Sequence, residues 1–105
     1  MTRSISATEI YQWRKDGHAH QLIDIRESYE IETCTIGGTS IPMNEIASRT
    51  SEIARDIPVV IHCKSGKRSE AVVAFLERLG FNNVTSLEGG IMSWIEVVDP
   101  SLERY

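Results

Sequence analysis

A cysteine followed by a short basic loop is the feature of this sequence whose residue types could do chemistry. The segment from Cys63 to Arg68 reads Cys-Lys-Ser-Gly-Lys-Arg, so three cations follow the thiol within five residues. Residues 59–61 before it are apolar and β-branched, and apolar residues recur at helical spacing over 69–79. Cys63 is therefore expected at a strand-to-helix junction, where backbone N–H groups, the helix dipole and the cations favour the thiolate. The sequence predicts that Cys63 is a nucleophile.

The residues after Cys63 suit the binding of an anion. Their backbone N–H groups could act like an oxyanion hole, with Gly66 permitting the tight turn. The residues expected to form this anion-binding loop are Lys64, Ser65, Gly66, Lys67, Arg68 and Ser69. Arg68 could either face the anion or brace the loop against an acid such as Asp24 or Glu88.

The elements that must position this loop follow from the rest of the pattern. Ser6 and Glu9 form a capping-box signature for a helix that ends at Asp16 and Gly17. Further strands are predicted over 21–25 and 84–87, and further helices over 44–54 and 91–97, with 27–33 a charged segment compatible with a helix. Strands that alternate with helices through short connections indicate a parallel sheet with helices on both faces. Cys63 would then lie beyond the carboxyl end of its strand, where such sheets bind ligands.

Composition narrows the class of protein. The 105 residues are 41% hydrophobic and predict a single domain over 1–105, and the net charge of −4 argues against nucleic acid as a partner. No apolar run approaches the roughly 20 residues that cross a bilayer. The chain has two cysteines, too few for a disulfide framework, so we expect no membrane association and a cytoplasmic, reducing location.

The Cys63 loop resembles the active-site loop of the rhodanese family of sulfurtransferases. Residues 22–27, Leu-Ile-Asp-Ile-Arg-Glu, and 87–94, Leu-Glu-Gly-Gly-Ile-Met-Ser-Trp, are typical of rhodanese domains and occur in the same order. The resemblance implies an α/β fold, a rhodanese-like three-layer sandwich whose small, mostly parallel sheet has helices on both faces. Many rhodaneses have Gly-His-Ile-Pro-Gly-Ala where residues 34–39 read Cys-Thr-Ile-Gly-Gly-Thr. In that departure the chain resembles rhodanese domains fused to adenylating enzymes that activate small sulfur carriers for molybdopterin and thiamine synthesis.

The resemblance also implies a reaction. Cys63 would take sulfane sulfur from thiosulfate or a persulfide donor, hold it as a persulfide, and pass it to a thiol, cyanide or a sulfur-carrier protein. A sulfur carrier or a cysteine desulfurase would then be a protein partner, and no metal, nucleotide or organic cofactor is expected. The resemblance also favours a role for Arg68 in bracing the loop, and it places Lys64 and Lys67 at the mouth of the loop. Asp24 and Arg26 are expected to support the loop structurally, most simply as an ion pair.

Two other functions stay open at this point. A cysteine-dependent phosphatase or arsenate reductase would share the cysteine and arginine, but the C-x4-R spacing is one residue shorter than the C-x5-R phosphate loop. A non-enzymatic rhodanese-like binding or regulatory module would not need the thiol, which is present as Cys63. His62 is expected to be structural because strand alternation turns it away from Cys63. Cys34 could be a resolving thiol, although nothing in the sequence places it near Cys63.

Overall fold

One parallel sheet organises the part of the chain that the structure, a computed structural model, describes, which is residues 3–105. Its five strands are β1 (Ser4–Ile5), β2 (Gln21–Asp24), β3 (Thr39–Ser40), β4 (Val59–His62) and β5 (Val84–Leu87). They lie in the order β1-β5-β4-β2-β3 and every adjacent pair is parallel. The helices are α1 (Ala7–Asp16), α2 (Ser28–Thr33), α3 (Lys67–Arg78) and α4 (Gly90–Val97), with 3₁₀ helices at Met43–Ser48 and Thr50–Glu52. The predicted α/β class is confirmed, and β4, which precedes Cys63, is the central strand.

The sheet separates two hydrophobic cores. Consecutive residues of β4 alternate between them, because Val59 and Ile61 belong to one core and Val60 to the other. The first core packs against α3 and the 3₁₀ helices and contains Cys63. The second packs against α1 and α4 and contains Cys34. Helices therefore cover both faces of the sheet, as the sequence predicted.

The first helix begins and ends where the sequence predicts. The Ser6 hydroxyl accepts a hydrogen bond from the Glu9 backbone N–H, and the Glu9 carboxylate accepts one from the Ser6 N–H, so the capping box is complete. Gly17 ends the helix in the left-handed conformation, with φ 69°.

The prediction of one helix over residues 44–54 is wrong. This segment forms two short 3₁₀ helices, and Pro42, not Asn44, occupies the first N-cap position. Only Ile46 and Ile53 of the segment enter the core. The Gln21 side chain holds its end in place, since it donates to the Glu52 carbonyl and accepts from the Ala54 N–H. A side chain from a distant strand thus satisfies backbone groups that a longer helix would have used internally.

Helical spacing predicts an inward apolar stripe on α3 made of Ala71, Val72, Phe75, Leu76 and Leu79, and the buried face of the helix is rotated from it. Val72 and Leu76 are buried as expected, but Val73 and Ser69 are buried as well, whereas Ala71 and Leu79 are exposed. The rotated face includes a polar contact, because the Ser69 hydroxyl bonds the buried Ser86 hydroxyl of β5. Hydrophobic spacing alone could not reveal this polar member of the buried face.

Candidate active site

Cys63 directly follows β4, and its sulfur lies beneath the loop that leads into α3. The Gly66 backbone N–H donates to the Cys63 Sγ at 3.1 Å, and the Ser69 Oγ lies 3.7 Å from the same sulfur. Gly66 is the N-cap of α3, with φ 108°, a conformation that glycine adopts most readily. Cys63 is 1% exposed, so its side chain is almost fully covered by the surrounding protein.

The first turn of α3 leaves backbone donors free beside the thiol. In an α-helix the first N–H groups have no intrahelical acceptor. Glu70 N–H bonds the Gly66 carbonyl, but within residues 3–105 the N–H groups of Lys67, Arg68 and Ser69 donate to no protein acceptor. Such donors at a helix N-terminus favour an anion. The local geometry therefore offers an anion several backbone hydrogen bonds near the Cys63 sulfur.

Helix α4 supports the other side of the loop. The Ile91 N–H donates to the Cys63 carbonyl at 2.9 Å, and the Met92 N–H donates to the Lys64 carbonyl at 3.1 Å. Gly90 allows this approach, because a Cβ atom there would lie 2.7 Å from the Cys63 carbonyl oxygen. Loop carbonyls are thus directed toward α4, and the loop and α4 are held in close contact.

Two buried serines brace the turn. The Ser69 hydroxyl donates to the Gly66 carbonyl at 3.0 Å and lies 2.6 Å from the Ser86 hydroxyl. Since a hydroxyl has a single proton, Ser86 must donate to Ser69. Ser69, predicted as an anion ligand, therefore uses its hydroxyl to hold the loop closed around Gly66, while its backbone N–H stays free.

Arg68 braces the loop against an acid, but the acid is Glu30. The Arg68 guanidinium donates to both carboxylate oxygens of Glu30, at 2.9 and 3.0 Å. Of the two acids named from the sequence, Asp24 is paired with Arg26, and Glu88 forms no salt bridge within residues 3–105. The Arg68 hydrogen bonds lower the pKa of Glu30 to about 2 against the opposing effect of its burial. Glu30 is therefore a charged partner that fixes the far end of the loop.

Asp24 and Arg26 form a buried ion pair beneath the site. The Arg26 Nη2 lies 2.8 Å from the Asp24 Oδ2, and the same nitrogen donates to the Cys34 carbonyl. His62 is buried next to this pair, with its Nε2 at 3.6 Å from the Asp24 Oδ2. Neither ring nitrogen has a hydrogen-bond partner within the described chain. Desolvation lowers the pKa of His62 to about 4, so the ring is neutral and suits the structural role expected of it.

The two lysines of the loop keep their charges uncompensated. Lys67 is exposed and Lys64 is half-buried, and neither forms a salt bridge within residues 3–105. The Lys64 Nζ lies 4.5 Å from the centroid of the Tyr105 ring. Ser65 is exposed at the tip of the loop. These positions leave positive charge at the surface of the loop.

Cys34 lies in a different environment from Cys63. It is 6% exposed and belongs to the core on the α1 and α4 side of the sheet, whereas Cys63 belongs to the opposite core. The sheet separates the two thiols. In the described chain, no group of three or more histidine, cysteine or acidic residues could hold a metal ion.

Three residues near the site were not found from the sequence. Glu30, Ser86 and Tyr105 contact the loop or its supports through hydrogen bonds. Glu30 was visible only as one acid among several in a charged segment, and Ser86 as a polar residue in a strand. Tyr105 is 75 residues from Glu30 along the chain, so no local pattern could connect them.

Comparison with known proteins identifies the family. A family model described as the rhodanese-like domain matches residues 6–97. A sulfurtransferase of Allochromatium vinosum is 38% identical over 95 residues, covering 90% of this chain and 89% of that protein. The probable adenylyltransferase/sulfurtransferase MoeZ of Mycobacterium tuberculosis is 30% identical over 105 residues, covering 97% of this chain but 27% of that protein.

The fold comparison agrees. A crystal structure of a rhodanese-related protein from Thermoplasma volcanium superimposes with a TM-score of 0.77 at 38% identity, covering 90% of this chain and 91% of that one. The resemblance drawn from the Cys63 loop is confirmed, as is the rhodanese-like α/β sandwich. The chain belongs to the rhodanese-like domain family.

Proposed function

We propose that this protein is a sulfurtransferase that carries sulfur as a persulfide on Cys63. The observation that supports the proposal most strongly is the position of the Cys63 sulfur at the N-terminus of α3, within hydrogen-bond distance of the Gly66 N–H. Free N–H groups on the first turn of the helix could stabilise the negative charge of a thiolate and of a persulfide. Relatives named as sulfurtransferases support the same chemistry.

The proposed reaction has two displacement steps. The Cys63 thiolate attacks the outer sulfur of thiosulfate, the Cys63 S–S bond forms, and the S–S bond of thiosulfate breaks to release sulfite with its electron pair. A nucleophile such as cyanide then attacks the outer sulfur of the persulfide, producing thiocyanate and the original thiolate. A persulfide donor would enter in the same way, with a thiolate as the leaving group. The C-x4-R loop and its N–H groups serve both anionic states.

The biological acceptor is proposed from the relatives. MoeZ is named as a probable adenylyltransferase/sulfurtransferase, and residues 34–39 resemble rhodanese domains fused to adenylating enzymes that activate sulfur carriers. We take a sulfur-carrier protein as the acceptor on this ground, and a persulfide on a protein such as a cysteine desulfurase as the donor. Thiosulfate and cyanide then serve as assay substrates. The uncompensated lysines of the loop would attract an acidic or anionic partner, and the net charge of −4 disfavours nucleic acid.

Steady-state kinetics with thiosulfate and cyanide test the proposal. A persulfide intermediate predicts double-displacement kinetics, with parallel lines in double-reciprocal plots. Cys63→Ser should remove thiocyanate formation while the fold persists, because the Gly66 N–H and the Ser69 hydroxyl can bond the new hydroxyl. Cys34→Ala is the matched control and should retain turnover. If Cys63→Ser keeps full activity, or if no donor is used by the unmodified protein, the proposal is wrong and a binding module becomes the better account.

A further inference from the structure

Tyr105 connects both ends of the Cys63 loop to the ion pairs beneath it. Its hydroxyl donates to the Glu30 Oε2 at 2.8 Å and accepts from the Arg26 Nη1 at 3.0 Å. Glu30 in turn holds Arg68 at the far end of the loop. The Tyr105 ring also contacts Lys64, the residue directly after Cys63, and the Lys64 Nζ lies 4.5 Å from the ring centroid.

The charges around the loop are compensated unequally. Arg26 is paired with Asp24, and Arg68 is paired with Glu30, so two of the nearby cations are neutralised by carboxylates. Lys64 has no such partner within residues 3–105. Its ammonium therefore contributes a net positive charge on the residue that directly follows Cys63.

A cation–π contact places a charge without neutralising it. A carboxylate partner would fix the Lys64 ammonium but cancel much of its field, whereas an aromatic ring is uncharged and attracts the ammonium only through its quadrupole. Desolvation raises the pKa of Tyr105 to about 12, so the side chain remains a neutral phenol at physiological pH. The two hydroxyl hydrogen bonds fix the ring, and the ring restricts a lysine side chain that would otherwise be mobile.

We propose that Tyr105 is a positioning residue that holds the Lys64 ammonium at the entrance to Cys63 and so gives the thiol a preference for anionic reagents. The inference rests on the proposed function only where it identifies the anion as a sulfur donor. It assigns part of the selectivity for charge to the pair of Lys64 and Tyr105, beside the exposed Lys67, while Arg68 maintains the shape of the loop.

Alkylation of Cys63 by two reagents of similar size measures this preference directly. Iodoacetate carries a negative charge and iodoacetamide is neutral, and peptide mass spectrometry reports the modification of Cys63 separately from that of Cys34. Relative to the unfolded protein, the folded protein should favour iodoacetate. Tyr105→Leu should lower that preference about two- to fivefold, the size expected from losing an exposed cation–π contact.

Three further variants separate positioning of charge from general loosening. Tyr105→Phe keeps the ring but loses the two hydroxyl hydrogen bonds that fix it, so it should lose less of the preference than Tyr105→Leu does. Lys64→Gln should lower the preference as Tyr105→Leu does, and the double variant should be no worse than Lys64→Gln, because the two residues act through one charge. Tyr29→Phe, at a tyrosine that is 68% exposed, is the matched control and should change nothing.

Thiosulfate kinetics provide the second measurement. Tyr105→Leu should raise the KM for thiosulfate by the same factor and leave kcat nearly unchanged. An unchanged alkylation preference in Tyr105→Leu, an equal loss in Tyr105→Phe, or additive effects in the double variant would overturn the inference. So would a Cys63 that neither reagent reaches in the folded protein. If the preference shifts as predicted but no sulfur is transferred, the positioning role stands and the proposed function fails, so the two failures are distinguishable.

Discussion

At the scale of single residues, the site depends on which charges are paired and which are left free. Arg68 looks from its position like an anion ligand, yet its guanidinium is engaged by Glu30. Lys64 and Lys67 have no acidic partner within the described chain. An incoming anion would therefore meet lysine ammonium groups and backbone N–H groups, while Arg68 maintains the shape of the loop.

Glu30→Gln should change how the free energy of unfolding depends on pH. The unfolded carboxyl titrates near 4.5 and the folded one near 2, so Glu30 stabilises the fold above about pH 4.5, and that contribution disappears as the pH falls toward 2. After allowance for the partial exposure of Arg68, we expect a loss of about 2 kcal/mol at neutral pH. Urea unfolding between pH 7 and pH 2 measures it. Glu32→Gln, at an exposed acid of the same helix, is the control. If the free energy of unfolding fell equally with pH in the unmodified protein, Glu30→Gln and Glu32→Gln, Glu30 would not be the group with the lowered pKa.

His62 should produce a second pH dependence in a higher window. Burial keeps the folded ring neutral down to about pH 4, whereas the unfolded ring binds a proton near 6.5. Stability should therefore fall by about 3 kcal/mol as the pH drops from 6.5 to 4, because the unfolded chain gains the proton first. His62→Leu should remove this slope, since it removes the buried ring whose protonation produces it. An NMR titration that places the His62 pKa at 6 or above would refute the burial argument.

At the scale of secondary-structure elements, the loop depends on helices from two sides. The N-terminus of α3 directs free N–H groups to the thiol side, and the N-terminus of α4 bonds the Cys63 and Lys64 carbonyls. The two helices thereby separate the donor groups of the loop from its acceptor groups. Their close approach depends on Gly90, whose conformation and lack of a side chain are both required.

Gly90→Ala should therefore damage the site more than the same change at a comparable glycine. Both Gly90, with φ 62°, and Gly17, with φ 69°, are left-handed, so alanine costs about 1–2 kcal/mol of backbone strain at either position. At Gly17 the added methyl group meets nothing within 4 Å, but at Gly90 it would collide with the backbone of Cys63 and Lys64. Thermal unfolding and thiocyanate formation should both be impaired further in Gly90→Ala. Equal losses in the two variants would show that the contact with α4 is unimportant.

The sequence predicted those elements whose signals are local. The capping box of α1, strands β2, β4 and β5, and the strand-to-helix position of Cys63 follow from spacing within a few residues. The 3₁₀ helices could not be predicted from local spacing. Their end is held by the Gln21 side chain of β2, which bonds the Glu52 carbonyl and the Ala54 N–H. The two-residue strands β1 and β3 are too short to show a pattern and exist through pairing with β5 and β2. Arg68 was predicted to brace the loop, but its partner Glu30 is 38 residues away.

At the scale of the whole molecule, the two faces of the sheet differ in what they support. Cys63 and the α3 side carry the loop, while Cys34, α1 and α4 form the supporting core on the opposite face. The Asp24 and Arg26 ion pair extends from the sheet to the Cys34 carbonyl and the Tyr105 hydroxyl. This separation argues against Cys34 as a resolving thiol for Cys63, because a disulfide requires the two Cα atoms within about 7 Å.

The most direct test of the account is the intact mass of the protein after incubation with thiosulfate, beside Cys63→Ser and Cys34→Ala. We expect the unmodified protein and Cys34→Ala to gain the mass of one sulfur atom, to lose it when cyanide is added, and Cys63→Ser to gain nothing. A sulfur adduct that persists in Cys63→Ser, or no adduct from thiosulfate or any persulfide donor, would contradict the claim that Cys63 carries sulfur.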